Sequence, residues 1–268
     1  MRTIHNRYRY SMILLKQLVI TDFKLRYQGS VLGYAWSLLR PLLLFVILYL
    51  VFVKGLKIGG SIPHFPIYLL LGIVIWNFFA EMTSQSLGSI VGRGDLIRKI
   101  RIPRWTIVLS SSISALINLG LNLLVVFVFM IFNQVDLMKT GLLLPLILIE
   151  VYLFSLGLSL FLAAAFVKYR DMSYIWEVVL QAGFYLTPII YPLSIVTDKS
   201  LQKILLLNPL AQSIQDARNV LVTKETLTIA KVFGTSTARF LPMVFVLVVF
   251  ITGVLYFKRE AKSFAENL

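Results

Sequence analysis

The sequence of 268 residues contains no cysteine, which excludes disulfide bonds, thiolate metal sites and thiol catalysis. Its two histidines, His5 and His64, are isolated and form no metal-ligand cluster. There is no G-x-x-x-x-G-K-[ST] loop to bind a nucleotide, and no serine stands in a nucleophile elbow. The first 30 residues lack the apolar core and cleavage site of a signal peptide. These absences favour passage or binding over covalent chemistry.

Charged residues are also scarce, at 14% of the chain, while 58% of the residues are hydrophobic. A soluble domain has about 25% charged and about 45–50% apolar residues, so this composition indicates a membrane protein. In lipid an α-helix satisfies its own backbone, and about 20 residues span the hydrocarbon. We therefore expect one all-α polytopic membrane domain over residues 1–268, with six transmembrane helices at 31–53, 65–89, 105–132, 142–167, 174–191 and 239–257.

The net charge of +14 is unevenly distributed along the chain. Most lysines and arginines lie before the first span, in the 89–104 loop, between spans four and five, and in the tail. The positive-inside rule then predicts that both termini are cytoplasmic. In a soluble protein such an excess would suggest nucleic acid, but here it indicates loops lying against anionic lipid, and we expect no nucleic-acid partner.

Residues 11–29 have the pattern of an amphipathic helix. Ile13, Leu14 and Leu18 recur at helical spacing, and the charged residues Asp22, Lys24 and Arg26 are distributed around the other side. A helix of this kind lies in the membrane interface and does not cross it. The alternative is a solvated tail before the first span.

The 89–104 segment reads SIVGRGDLIRKIRIPR. Gly92 and Gly94 indicate a turn around Arg93, after which Asp95 can cap a short helix that Pro103 stops. The basic residues of this segment could serve topology alone. The order of turn, cap, short helix and proline favours a docking helix that presents Arg93, Asp95, Arg98, Lys99 and Arg101.

A long external loop, 192–236, is too long for an ordinary connection. Two apolar stripes flank Asn208 and Pro209 in this loop. We expect two short amphipathic helices hinged at Asn208–Pro209, lying at the outer surface or dipping partly into it.

Aromatic and polar stripes mark three of the spans. Asn77, Glu81, Gln85 and Gly88 share one face of span two. Aromatic rings with hydroxyl tips can stack on sugars and also offer hydrogen bonds. We therefore predict a translocation path along span one and span five, lined by Tyr34, Phe45, Tyr49, Phe52, Glu177, Gln181, Phe184 and Tyr191. For Tyr34 and Tyr191, an interfacial aromatic belt is an equal alternative.

Several motifs resemble one family, the ABC-2 type permeases that export cell-surface polysaccharides such as O-antigen, capsule and teichoic acid. The resemblance begins with residues 21–41, TDFKLRYQGSVLGYAWSLLRP, and continues at 92–99, 168–171, 185–192, 207–209 and 264–266. The stretches Pro63–Pro66 and Tyr27–Ser30 look most like permeases for rhamnose-rich wall polysaccharides of Gram-positive bacteria.

The resemblance implies a homodimer in a bacterial cytoplasmic membrane that works with two copies of a separate ABC ATPase. Segment 11–29 would be the interface helix, 89–104 the coupling helix and 192–236 an external gate region. No cofactor is expected in this chain, because ATP and Mg²⁺ would bind to the ATPase. The expected substrate is a lipid-linked polysaccharide. The alternatives are an ABC-2 exporter of a lipid or drug, and a membrane enzyme acting on lipid-linked sugars through Glu81 and Glu177.

Overall fold

A computed structural model gives the arrangement of the chain. It describes residues 2–27, 30, 33–57, 62–99, 102–135 and 139–267, and for residues 2–10, 23, 25–27, 34, 265 and 267 it describes the backbone alone. Within these ranges there are helices and no strand, so the predicted all-α fold is confirmed. Arg101 lies outside the described residues, as do the side chains of Arg26 and Tyr34.

Twelve α-helices occur among the described residues. They are α1 (Arg2–Tyr27), α2 (Trp36–Leu48), α3 (Phe65–Ser89), α4 (Gly94–Lys99), α5 (Trp105–Phe132), α6 (Leu144–Lys168), α7 (Met172–Leu186), α8 (Lys199–Leu207), α9 (Pro209–Leu221), α10 (Ile229–Phe233), α11 (Phe240–Glu260) and α12 (Phe264–Asn267). A π-helical segment, Tyr49–Gly55, continues α2, and 3₁₀ turns precede α2, α4, α6 and α11.

Five helical segments of the described chain are long and apolar enough to cross a membrane. They are Trp36–Gly55, Phe65–Ser89, Trp105–Phe132, Lys139–Lys168 and Ser236–Glu260. The second and third coincide with the predicted spans, and the first begins at Trp36 instead of residue 31. The chain is therefore a multi-pass membrane protein.

The remaining predicted span, 174–191, is interrupted. α7 has 15 residues, about 22 Å of helix, whereas the hydrocarbon core is about 30 Å thick. Proline disfavours the helical conformation in the residue before it, and Thr187, which precedes Pro188, has extended backbone angles of φ −82° and ψ 134°. Residues 187–190 continue as buried, non-helical backbone. The count of six crossings stays a prediction.

The central helix of the bundle is α3. In its most apolar window 78% of the residues are buried, against 11% in the first span. None of the α7 side chains is buried. α2, its π-helical continuation and α7 therefore leave apolar faces uncovered within the subunit, with large exposed side chains at Leu43, Ile47, Leu50, Tyr174, Ile175 and Val178. α11 also exposes a large apolar face.

α6 and α11 pack with their backbones in contact. A Cβ atom on Gly253 would lie 2.1 Å from the carbonyl oxygen of Gly157, and one on Gly157 would lie 2.6 Å from the Cα of Phe250. Small residues allow this close approach of membrane helices. The two glycines therefore fix how α11 crosses α6.

The two ends of the bundle carry different elements. One end, called here the basic end, holds the contact of α1 with the start of α5, the Val91–Lys99 segment, and α12 beside α4. The opposite end holds α8, α9 and α10. α9 packs against α6, α3 and α11, so it is an internal element rather than a surface helix.

Candidate functional site

A three-residue junction joins α1, the Val91–Lys99 segment and α5 at the basic end. Arg93 Nη2 forms an ion pair with Asp22 Oδ1. Ser110 Oγ donates a hydrogen bond to Asp22 Oδ2 at 3.1 Å and accepts one from Arg93 Nη1 at 3.3 Å. All three elements are therefore joined by one group of hydrogen bonds. We call this set the Asp22–Arg93–Ser110 junction.

The orientation of α1 explains how Asp22 reaches this junction. Leu15 is buried, Leu18 is half-buried, and Asp22 follows at the same helical spacing on the side that packs on α5. Lys24 is exposed. The prediction that grouped Asp22 with Lys24 on the polar side of the helix is therefore wrong. The carboxylate turns towards the bundle because Arg93 and Ser110 satisfy it there.

The short basic helix predicted in the 89–104 segment is present as α4. Arg98 and Lys99 are exposed on its last turn, whereas Ile97 is buried beneath them. Asp95 is the second residue of the helix, so it complements the helix dipole in the first turn and does not stand before the helix as a cap. Arg93 points inward. The exposed surface of α4 is thus basic and anchored by one apolar side chain.

The predicted path residues of the first span have different environments within the subunit. Phe45 is 6% exposed, and its ring contacts Phe129 of α5 and Tyr49 at centroid distances of 6.0 and 5.8 Å. Tyr49 and Phe52 are half-buried. Phe45 thus packs α2 on α5 in this subunit, and the role of these three residues in a path stays a prediction.

The predicted path residues on α7 and just after it have different environments. Glu177 and Gln181 are exposed, while Phe184 is half-buried and packs edge-on against Trp76 of α3 at 5.9 Å. The hydroxyl of Tyr191 donates to the carbonyls of Tyr185 and Leu186, both at 3.4 Å. Within the subunit these side chains leave a polar patch on an apolar helix.

The hinge predicted at Asn208–Pro209 separates α8 from α9. The Asn208 side chain accepts a hydrogen bond from the backbone N–H of Leu210 at 3.1 Å, and Pro209 is the first residue of α9. This is the usual chemistry of a helix start. The two predicted helices are therefore found, although α9 is buried along nearly its whole length.

Arg218 of α9 is fully buried and was not singled out from the sequence. Its guanidinium donates to the carbonyls of Tyr68, Pro188 and Ile189 at 2.9, 2.6 and 2.7 Å, and lies 3.7 Å from the centre of the Tyr68 ring. Non-helical backbone inside a membrane protein needs such partners. Arg218 thus satisfies the carbonyls left free by the break after α7.

A second polar group joins α9 to α6. Glu150 of α6 faces Asp216 and Gln212, and Gln212 Nε2 donates to Asp216 Oδ2 at 2.7 Å. Burial raises the pKa of Asp216, and the Gln212 hydrogen bond and the nearby Arg239 charge oppose that rise. The described residues contain no group of three or more histidine, cysteine or acidic side chains placed to hold a metal ion.

Fold and junction together define a class: an all-helical polytopic membrane protein whose basic connecting helix is tied to an N-terminal helix and to a long span. The family model of the ABC-2 type transporter matches residues 13–222, and the chain belongs to that family.

Several curated proteins are similar to this chain over most of its length. The O-antigen export system permease protein RfbA of Myxococcus xanthus is 32% identical over 78% of this chain and 80% of its own. The protein of the same name from Klebsiella pneumoniae is 27% identical over 97% and 96% of the two chains. The polysialic acid transport protein KpsM of Escherichia coli is 24% identical over 78% and 81%.

Proposed function

We propose that this chain is the transmembrane permease subunit of an ATP-driven ABC transporter that exports a lipid-linked cell-surface polysaccharide across a bacterial cytoplasmic membrane. The observation that carries the proposal is the likeness to an O-antigen export permease over 97% of the chain. A relative named for polysialic acid transport supports polysaccharide as the substrate class. Candidate glycans are of the O-antigen, teichoic acid or rhamnan type.

The driving ATPase is a separate chain in this proposal, present in two copies, and it binds the ATP and Mg²⁺. This chain contains no phosphate-binding loop of the G-x-x-x-x-G-K-[ST] type. α4 offers the ATPase an exposed basic surface at Arg98 and Lys99. The positive-inside rule puts the basic end, and both termini, in the cytoplasm where ATP is available.

Mechanical coupling follows from the Asp22–Arg93–Ser110 junction. When nucleotide-driven closure of the ATPase moves α4, the ion pair of Arg93 with Asp22 carries the displacement to α1, and Ser110 carries it to α5. This chain's own role is thus to transmit motion and form the path, and not to catalyse a covalent step.

A homodimer completes the path in this proposal. The uncovered apolar faces of α2 and α7 need a partner other than water, and both helices bear aromatic side chains suited to sugars. Two copies that meet on these faces would enclose Tyr49, Phe52, Glu177 and Gln181 between them.

The test is to measure ATP hydrolysis by the purified chain alone and in complex with its ATPase subunit. We expect no hydrolysis by the chain alone, and hydrolysis that depends on the ATPase in the complex. Robust hydrolysis by the chain alone would contradict the proposed division of labour.

A further inference from the structure

A cavity of about 560 Å³ with a mixed polar and apolar lining lies between α2, α3 and α5, and Leu180 of α7 contributes to its wall. Its volume falls in the range of about 300–1,000 Å³ that small-molecule sites occupy. Trp36 and Gln85 place it in the half of the bundle nearer the basic end. Of the predicted path residues whose side chains are described, none lines this cavity.

Three polar side chains of the cavity are not engaged by other parts of the described chain. Arg40, Asn77 and Ser84 make no hydrogen bond or ion pair with any described residue. Arg40 and Ser84 are exposed, and Asn77 is half-buried. Polar groups on membrane spans are costly when they face lipid, so such groups face water or a ligand.

The cavity is electrically balanced. Arg40 supplies one positive charge and Glu81 one negative charge, and the Glu81 carboxylate accepts hydrogen bonds from Asn118 Nδ2 at 2.5 Å and Gln85 Nε2 at 2.8 Å. A phosphate group is usually bound by charge-assisted bonds from arginine or lysine, and here an acidic neighbour offsets the one arginine. The formal charges of the described lining residues thus sum to zero, which favours a neutral ligand.

The polar side chains of the lining match hydroxyl-rich ligands. An amide such as Asn77 offers both a donor and acceptors, and a sugar hydroxyl likewise donates and accepts. Trp36 is 45% exposed and adds an aromatic surface on which the apolar face of a sugar ring can lie. An acyl chain would leave Arg40, Asn77 and Ser84 without partners.

We propose that this cavity is a carbohydrate-binding subsite, one in each subunit, that holds neutral sugar units of the exported polysaccharide on the cytoplasmic side of the path. The subsite rests on the proposed export function and adds a contact region separate from the aromatic stripes of α2 and α7. Arg40, Asn77 and Ser84 bind the hydroxyl groups, and Trp36 supports the ring.

The absence of cysteine allows a direct test in the full chain with its ATPase. A Ser84→Cys variant is treated with the polar thiol reagent 2-sulfonatoethyl methanethiosulfonate in membranes from cells that make the polysaccharide and from cells whose polysaccharide synthesis is blocked. We expect modification to be slower by about threefold or more when the polysaccharide is present, because an occupied site is protected in proportion to its occupancy. A Ser173→Cys control, at the start of α7 and outside the cavity, should react equally in both membranes.

Equal reaction rates of Ser84→Cys in the two membranes would overturn the subsite. If both rates are also slow compared with the Ser173→Cys control, the result would indicate that lipid occupies the cavity. An Asn77→Leu substitution in the Ser84→Cys background should abolish the protection while assembly with the ATPase remains. Failure of the export proposal can be told apart from failure of the subsite. If the export proposal is wrong, deletion of the chain leaves surface polysaccharide unchanged, whatever the labelling experiment shows.

Discussion

At the scale of single residues, Arg218 and Gly72 show how a buried charge is accommodated. A Cβ atom at residue 72 would lie 2.4 Å from Arg218 Nη2, so only glycine leaves room for the guanidinium against α3. Breaking a buried, hydrogen-bonded charge is costly because its partners stay buried. Gly72 therefore contributes to the position of α9.

A Gly72→Ala substitution should destabilise the subunit by about 1–3 kcal/mol, the usual cost of overpacking. The matched control is Gly120→Ala in α5, where a built Cβ has no neighbour within 4 Å. Alanine favours helix over glycine, so that control should be neutral or slightly stabilising. Thermal unfolding midpoints of the detergent-purified variants measure the difference, and equal midpoints would contradict this role of Gly72.

The Asp22–Arg93–Ser110 junction gives a second prediction at this scale. Asp22→Ala and Arg93→Ala should each lower the polysaccharide exported per ATP hydrolysed, while the complex with the ATPase still assembles. The loss in stability should be about 1–3 kcal/mol, because each substitution leaves a mostly buried charged partner without its hydrogen bond. A double exchange, Asp22→Arg with Arg93→Asp, should restore part of the coupling.

The control for this junction is Arg259→Ala, since Arg259 pairs with Glu260 at 3.9 Å and its side chain is 85% exposed. Export by that variant should match the unsubstituted chain. Normal export per ATP in Asp22→Ala would show that the junction does not transmit motion.

Sequence reasoning identified Asp22 and Arg93 as functional candidates but did not pair them, because they are separated by 71 positions and only folding brings α1 onto α5. Arg218 was missed for a related reason. Its partners are backbone carbonyls, which carry no sequence signal. A charged residue within an otherwise apolar face of α9 was the available clue.

At the scale of elements, the long helices α3 and α5 have the bounds expected from hydropathy, whereas α7 ends early. By hydropathy, residues 174–191 form one apolar run. Pro188 nevertheless ends the helix, and the carbonyls of Pro188 and Ile189 accept hydrogen bonds from Arg218. The hinge at Asn208–Pro209 was predictable because its cap chemistry is local. The burial of α9 was not predictable, because it results from packing against α3, α6 and α11.

The exposed basic face of α4 is predicted to bind the ATPase subunit. A double charge reversal, Arg98→Glu with Lys99→Glu, should weaken binding of the ATPase subunit and reduce export, because the exposed face of α4 changes sign. The matched control is Lys258→Glu with Arg259→Glu, an exposed basic pair on α11. Copurification of the ATPase and surface polysaccharide measure both variants, and equal behaviour of the two pairs would count against α4 as the docking helix.

At the scale of the whole molecule, one buried helix, α3, packs against α2, α5, α6, α7 and α9. At the basic end α1, the Val91–Lys99 segment and α5 meet in the junction, and at the opposite end Arg218 of α9 donates hydrogen bonds to the non-helical segment after α7. α2 and α7 remain uncovered and carry the predicted path residues. Under the proposed homodimer, motion at the basic end changes the separation of the two subunits while the core stays packed.

The measurement that tests the central proposal most directly is the location of the polysaccharide in cells that lack this chain but keep its ATPase. We predict that lipid-linked polysaccharide accumulates inside the cell and is lost from the surface, and that the unsubstituted chain restores it. Surface polysaccharide that persists without the chain would contradict an export role. Absence of the polysaccharide from both compartments would also contradict it, because that result indicates a part in synthesis.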